Sequence, residues 1–316
     1  MKKLILLISI IVSVNSFAQE VYLPTHTQYL ADNYFVIAPT YAGIGENMKI
    51  RLNALTQWVG IKDAPDTQSL VGDIRIGNKS GVGLLFYNDR NGNTRQQGAR
   101  ASFAHHLTLS ESNDQFLSFG ISYIYNHFRI DIENFDPTIP DPAIVDDRAL
   151  GNHNFEVGVL YRYRSFYINL TAANILDKDL EDFTIYEPGK LRNYTIFSGY
   201  RIKTKNKDIE VEPSVYFQLY ESDGRSVTDL NVKVRKNFRD DNYAWAGISY
   251  RFLNDQFMAP LNIGPMAGIM MSKLYFAYSY QIIMNDLINY NSGTHMITVG
   301  IDIFRGTGSC ECMKLK

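Results

Sequence analysis

In residues 273–283, KLYFAYSYQII, Leu274, Phe276, Tyr278, Tyr280 and Ile282 take one side of an extended chain, and Tyr275, Ala277, Ser279 and Gln281 take the other. The same period of two recurs in Leu117, Phe119, Ile121, Tyr123 and Tyr125, and in Ile209, Val211, Val215, Phe217 and Leu219. Helical periodicity is nearly absent. The chain reads instead as segments of roughly ten residues that alternate apolar with polar and are separated by turn residues, the pattern of a transmembrane β-barrel. Fourteen strands are expected, at 49–58, 66–76, 80–89, 94–108, 115–129, 152–164, 165–175, 193–204, 208–220, 226–238, 242–252, 257–271, 273–283 and 294–304.

The connections separate this reading from a soluble sandwich. GNKSG, SESND, TKNKD and RDDN are tight links after even-numbered strands, whereas long links follow the fifth, seventh and thirteenth. Short turns on one rim and long loops on the other are expected of an outer-membrane barrel, with the turns and both termini periplasmic. The links after the third, ninth and eleventh strands read as short as well. The aromatic rows are assigned to lipid. The opposite rows carry Arg51, Asp73, Arg75, Arg100, Glu156, Arg162, Arg201, Glu210, Glu212, Lys233 and Arg235. Charge at the bilayer midplane costs roughly 2–4 kcal/mol, so these residues are expected to line the lumen. Their mixed signs suit cross-strand ion pairs better than the one-sign ring of a selective pore. Fourteen tilted strands enclose a cylinder about 28 Å across, too wide to be filled by its own side chains.

The first residues, MKKLILLISIIVSVNSFAQE, have a basic start, an apolar run and a small-residue site, and read as a signal peptide (1–18) cut after Ala18. Residues 19–48 precede the first strand and are expected to fold into the barrel mouth as a partial plug; the alternative is a disordered periplasmic arm. Residues 49–304 form the barrel, and 305–316 a periplasmic tail in which Cys310 and Cys312 read most simply as two loose thiols. The net charge of −2 gives no basic stripe for nucleic acid. Six acidic residues between Asp131 and Asp147 lack the spacing of a calcium loop, so a solvated acidic loop is expected and no metal or cofactor is assigned. His105, His106, His127, His153 and His295 lie beside no nucleophile motif. His105 falls on the lipid row and the others near rims, and the chain reads as non-enzymatic.

Three stretches carry a resemblance. APTYAG (38–43) is similar to a motif N-P-A-Y-A-G before the first strand, with Pro39, Tyr41, Ala42 and Gly43 matching. TQWVGIKDAPDTQSL (56–70) resembles Q-W-x-G-I-x-G-A-P-x-T, with Trp58, Gly60 and Pro65 in place and Asp63 where glycine is usual. AYSYQIIMNDLINYNSGTHMI (277–297) resembles a closing hairpin with Tyr290, Gly293 and His295; Gln281 and Met296 stand where acidic residues are usual. Together they resemble the PorP/SprF family of type IX secretion system outer-membrane proteins of Bacteroidota.

That resemblance implies a fourteen-stranded barrel in the outer membrane of a Gram-negative bacterium. Its partners would be a secreted type IX cargo or adhesin, anchored for gliding or helped in export through its C-terminal domain, and periplasmic ring or peptidoglycan-binding components, besides outer-membrane lipid. Pro39, Tyr41, Gly43, Trp58, Gly60, Pro65, Tyr290, Gly293 and His295 become the candidate partner-binding or gating residues. The rival reading is a transport channel for a small or hydrophobic solute, gated by residues 19–48.

Overall fold

The computed structural model describes residues 33–130, 148–177, 191–204, 208–238, 242–284 and 286–313. The signal peptide, residues 19–32, the acidic loop 131–147 and most of the loop before the eighth strand lie outside them. The elements are β1 (Asn47–Thr56), β2 (Asp66–Ile76), β3 (Ser80–Asn91), β4 (Thr94–Ser110), β5 (Gln115–Ile130), β6 (Arg148–Tyr163), β7 (Phe166–Ala173) and β8 (Asn193–Tyr200). They continue with β9 (Ile202–Lys203), β10 (Ile209–Tyr220), β11 (Ser226–Asn237), β12 (Tyr243–Leu253), β13 (Asn262–Met271), β14 (Leu274–Ile283) and β15 (Thr294–Arg305).

β8 and β9 pair with β10 in one register and are two pieces of a single wall strand broken at Arg201, so the wall has fourteen positions. Each strand pairs antiparallel with its sequence neighbours, and β15 pairs with β1 to close the sheet. Closure satisfies every ladder without an edge, which a hydrocarbon environment demands. No helix among the described residues is long and apolar enough to cross a membrane, and the crossing is made by strands. Both chain ends enter and leave at one rim, where Asn47 faces Arg305.

Alternation sorts the side chains as the sequence suggests. Leu84, Phe86, Phe103, Phe119, Ile121 and Phe276 are exposed on the outer wall, while Val71, Leu85, Ala104, Tyr275 and Ala277 are buried inside. Near the loop rim, two similar aromatic sets mark the outer wall. Tyr123 and Tyr125 embrace His153, and Tyr278 and Tyr280 embrace His295, with Tyr278 Oη 2.7 Å from His295 Nδ1. Amphipathic rings at this height are the expected girdle of a barrel at the membrane interface.

Several boundaries move. β13 starts at Asn262, not 257, so the link after the eleventh wall strand spans 254–261 and is longer than its sequence suggested. Within it Tyr250 Oη donates to Phe257 O at 2.7 Å and Phe252 packs edge-on against Phe257, so Phe257 serves the loop and not a strand. β6 begins earlier, at Arg148, because β5 runs to Ile130 and pairs with it along its full length. The tail is also corrected. Cys310 and Cys312 form a disulfide, and the segment docks into the barrel end.

Candidate functional site

Residues 33–45, NYFVIAPTYAGIG, enter the lumen as two short 3-10 turns, Tyr34–Val36 and Pro39–Tyr41. Proline disfavours helical geometry in the residue before it, and Ala38 is accordingly extended (φ −152°, ψ 142°), which separates the turns. Pro39 then opens the second turn, where its fixed φ suits the first position. Gly43 ends it at φ +75°, a conformation that side chains rarely tolerate. Every residue from Tyr34 to Gly43 is buried.

The wall makes room for this segment by omitting side chains. A Cβ on inward-facing Gly81 would collide with Ala42 O, one on Gly83 with the Phe35 ring, and one on Gly120 would lie 2.5 Å from Thr40 N. Gly43 itself approaches Gly81 so closely that its own Cβ would sit 2.6 Å from the Gly81 Cα. Such fits leave no slack in a close-packed interior. The plug is therefore seated on β3 and β5, while the far side of the lumen is filled by large side chains of the wall, Tyr243, Trp245, Met266, Met270 and Tyr275.

Polar contacts fix the seat. Arg100 donates to Phe35 O at 2.6 Å and Val36 O at 3.1 Å, and pairs with Glu156 at 3.3 Å. Tyr34 Oη donates to Glu212 at 2.8 Å and accepts from Lys233 Nζ at 2.7 Å. Glu212 also receives Tyr167 Oη at 2.6 Å, and lies 2.9 Å from Lys233 and 3.6 Å from Arg201. Glu210 stands 3.9 Å from Arg201. Thr40 Oγ1 donates to Asn169 at 2.6 Å, and Gly43 N to Asp73 at 2.9 Å. Tyr41 packs on Tyr34 and Phe197, and burial pushes its hydroxyl well above the ordinary phenol range, so it stays neutral. Away from the plug, Arg51 binds Asp302 at 2.6 Å under the Tyr275 ring, and Arg235 lies 3.7 Å over Tyr243.

The tail closes the same rim. Met313 O accepts from Gly45 N at 2.9 Å and from Arg75 at 3.3 Å, Arg75 also donates to Gly308 O at 3.1 Å, and Arg162 donates to Cys312 O. Cys312 and Met313 are fully buried against Phe116. Plug and tail thus share backbone and guanidinium contacts. Truncation after Arg305 is expected to lower stability by at least the roughly 1.5–3 kcal/mol of one buried methionine, read as a lower urea midpoint in detergent micelles.

The other two motif stretches lie at the opposite rim. Gln57 N donates to Pro65 O at 2.8 Å, and Val59 exchanges backbone bonds with Gly293 and Ser292 at 3.0 and 2.7 Å. Gly60, at φ +106°, lets the first loop pass beside Tyr290, which is 74% exposed. Trp58 is half-buried and Pro65 buried. Asp63 continues the bracing, accepting from Gly92 N at 2.9 Å and pairing with Arg90 at 3.3 Å. His295 is not in the lumen; it lies on the outer wall with Tyr278.

The structure therefore splits the candidates into two groups. Pro39, Tyr41 and Gly43 sit deep in the plug. Trp58, Gly60, Pro65, Tyr290 and Gly293 belong to two loops tied together at the far rim. Sequence reasoning missed His106, which is fully buried under the plug: Ala42 O at 3.0 Å makes its Nε2 a donor, and Nδ1 meets Ser118 Oγ at 2.8 Å. Its signal was available, since His106 shares the inward row of β4 with Arg100, Ser102 and Ala104. The glycine pair Gly81 and Gly83, two apart on one strand, was a second such signal.

Comparisons with known proteins agree with the architecture. No curated protein matches the chain by sequence. Among solved structures, the CymD monoaromatic hydrocarbon channel superposes with a TM-score of 0.54 at 9% identity, covering 87% of this chain and 93% of that one. A Pseudomonas aeruginosa FadL homologue gives 0.51 at 10% identity, covering 91% and 100%. At such identities the likeness is one of fold. Residues 18–301 match the family described as type IX secretion system membrane protein PorP/SprF, and with an outer-membrane barrel closed over that span the chain belongs to this family, a component of type IX secretion in the outer membrane.

Proposed function

We propose that the protein is a non-enzymatic holder of a secreted type IX client, which it anchors or helps to export through the client's C-terminal domain. One observation carries this reading: the lumen is occupied by the chain's own residues 34–43, held by buried ion pairs and by the shared contacts of the tail. A client would then meet the loop rim, where the loops 57–65 and 284–293 brace one another, together with the long loops 131–147 and 174–192. In this orientation both termini and the short turns face the periplasm and the secretion or motility machinery, after export directed by residues 1–18.

Deleting residues 135–145 is expected to leave barrel assembly intact and to reduce surface display of the client, measured by immunolabelling of whole cells and by mass spectrometry of what copurifies with the tagged barrel. Unchanged display would remove that loop from the proposal. The second reading, a channel for a small or apolar solute, draws on the fold shared with a monoaromatic hydrocarbon channel. It requires conductance in a planar bilayer that rises when the plug segment is removed, and a barrel sealed in both forms would end it.

A further inference from the structure

A shallow, open concavity of about 770 Å³ lies on the outer wall over β8 to β13 and not in the lumen. Register explains its shape. Pro213, Val232, Ile248 and Pro265 are cross-strand partners in series and form one row of outward side chains. Ser198, Val215, Leu230, Tyr250 and Ile263 form the next outward row. Between them runs an inward-facing row of small or polar residues, Gly199, Ser214, Asn231, Ser249 and Gly264, so the groove floor is backbone.

Pairing is interrupted beside two prolines of this patch. Proline has no N–H to give to a ladder. The pairing of β8 with β10 stops at Gly199 and Ser214 and resumes only with Ile202 and Val211 in β9, beside Pro213. That of β13 with β14 skips from Ile263 to Met266, across Pro265. Both lapses fall at the ends of one row.

We infer that this groove is a binding site for one acyl chain of a membrane phospholipid. It opens on the lipid-facing wall and its lining is overwhelmingly apolar. The two rows stand two residues apart on each strand, about 6.8 Å, and cross four and five strands, about 14 and 19 Å at ~4.8 Å each. A helix is roughly 10–12 Å across and does not enter such a slot. A single flexible hydrocarbon chain does, and it is the species that surrounds this face.

The probe is a phosphatidylethanolamine with a photoreactive diazirine on one acyl chain, added in trace amounts to the full-length barrel in detergent micelles. Adducts are expected to concentrate on residues 198–263 and to be displaced by excess unlabelled phospholipid. Val232→Trp fills the groove and should weaken the displaceable labelling about tenfold, equivalent to the contact of one or two methylenes. Ile121→Trp, on an outer row elsewhere in the wall, should leave it unchanged. Heat-modifiable mobility on gels establishes that both variants are folded. Labelling spread evenly over the lipid-facing strands, labelling that excess lipid does not displace, or a Val232→Trp variant labelled like the parent would each overturn the site.

Discussion

Replacing Glu212 with Gln is expected to cost about 3–5 kcal/mol, the usual penalty for removing one partner of a buried charge pair, and to loosen the plug before the wall unfolds. Glu212 is the carboxylate shared by Lys233 at 2.9 Å and Arg201 at 3.6 Å, and all three side chains are largely buried. Gln keeps the shape and can still accept from Tyr34 and Tyr167, so the change isolates the charge. Glu210 remains 3.9 Å from Arg201 and compensates in part, which favours the lower end of the range. Lys233→Met added to Glu212→Gln should recover part of the loss, since the pair as a whole contributes less than either half left alone. Both native cysteines are tied in the disulfide, so Thr40→Cys supplies the one free thiol, at a fully buried plug position. Its maleimide labelling should accelerate in Glu212→Gln and slow again in the double variant. Unchanged labelling together with an unchanged urea midpoint would mean that the cluster does not hold the plug.

The barrel was readable because the constraint producing it is severe and local. Lipid outside and a polar interior force a strict period of two, and rows such as Leu117 to Tyr125 display it without help from the rest of the chain. The fourteen wall positions, the inward placement of Arg100 and Glu156, and the family stretches follow from that pattern and from fixed spacings. What the sequence hid depends on meetings between distant segments. Tyr34 and Glu212 are 178 residues apart and meet only because closure brings β10 opposite the entering chain. The Cys310–Cys312 pair looked like a loose tail because its anchors, Arg75 and Arg162, stand on two remote strands. The stretch 257–261 was read as strand from its apolar residues, of which Phe257 instead packs in a loop with Phe252 and Tyr250.

The glycine seat gives the sharpest separation between plug and wall. Gly120→Val places a β-branched residue, well suited to an extended strand, at a wall position whose neighbours Ala104 and Gly158 are small. The wall should accept it. The plug cannot, because the new Cβ alone falls 2.5 Å from Thr40 N and 2.7 Å from the Pro39 carbonyl carbon, both backbone atoms of a turn fixed by proline. Overpacking of this kind typically costs about 1–3 kcal/mol when the surroundings can shift; here the cheaper response is to expel residues 34–43 while the barrel keeps its ladders. In the Thr40→Cys background, labelling should therefore rise towards that of an exposed thiol, with heat-modifiable mobility retained. Gly72→Val is the control, since a Cβ there meets nothing closer than Lys49 O at 3.5 Å, an ordinary contact, and labelling should stay slow. If Gly120→Val leaves the thiol protected, the plug yields by small shifts and is not held by shape. If the thiol is freed, conductance across a planar bilayer decides between the functional readings: a barrel that stays sealed without its plug favours the holder of a client, and one that opens makes the plug a gate.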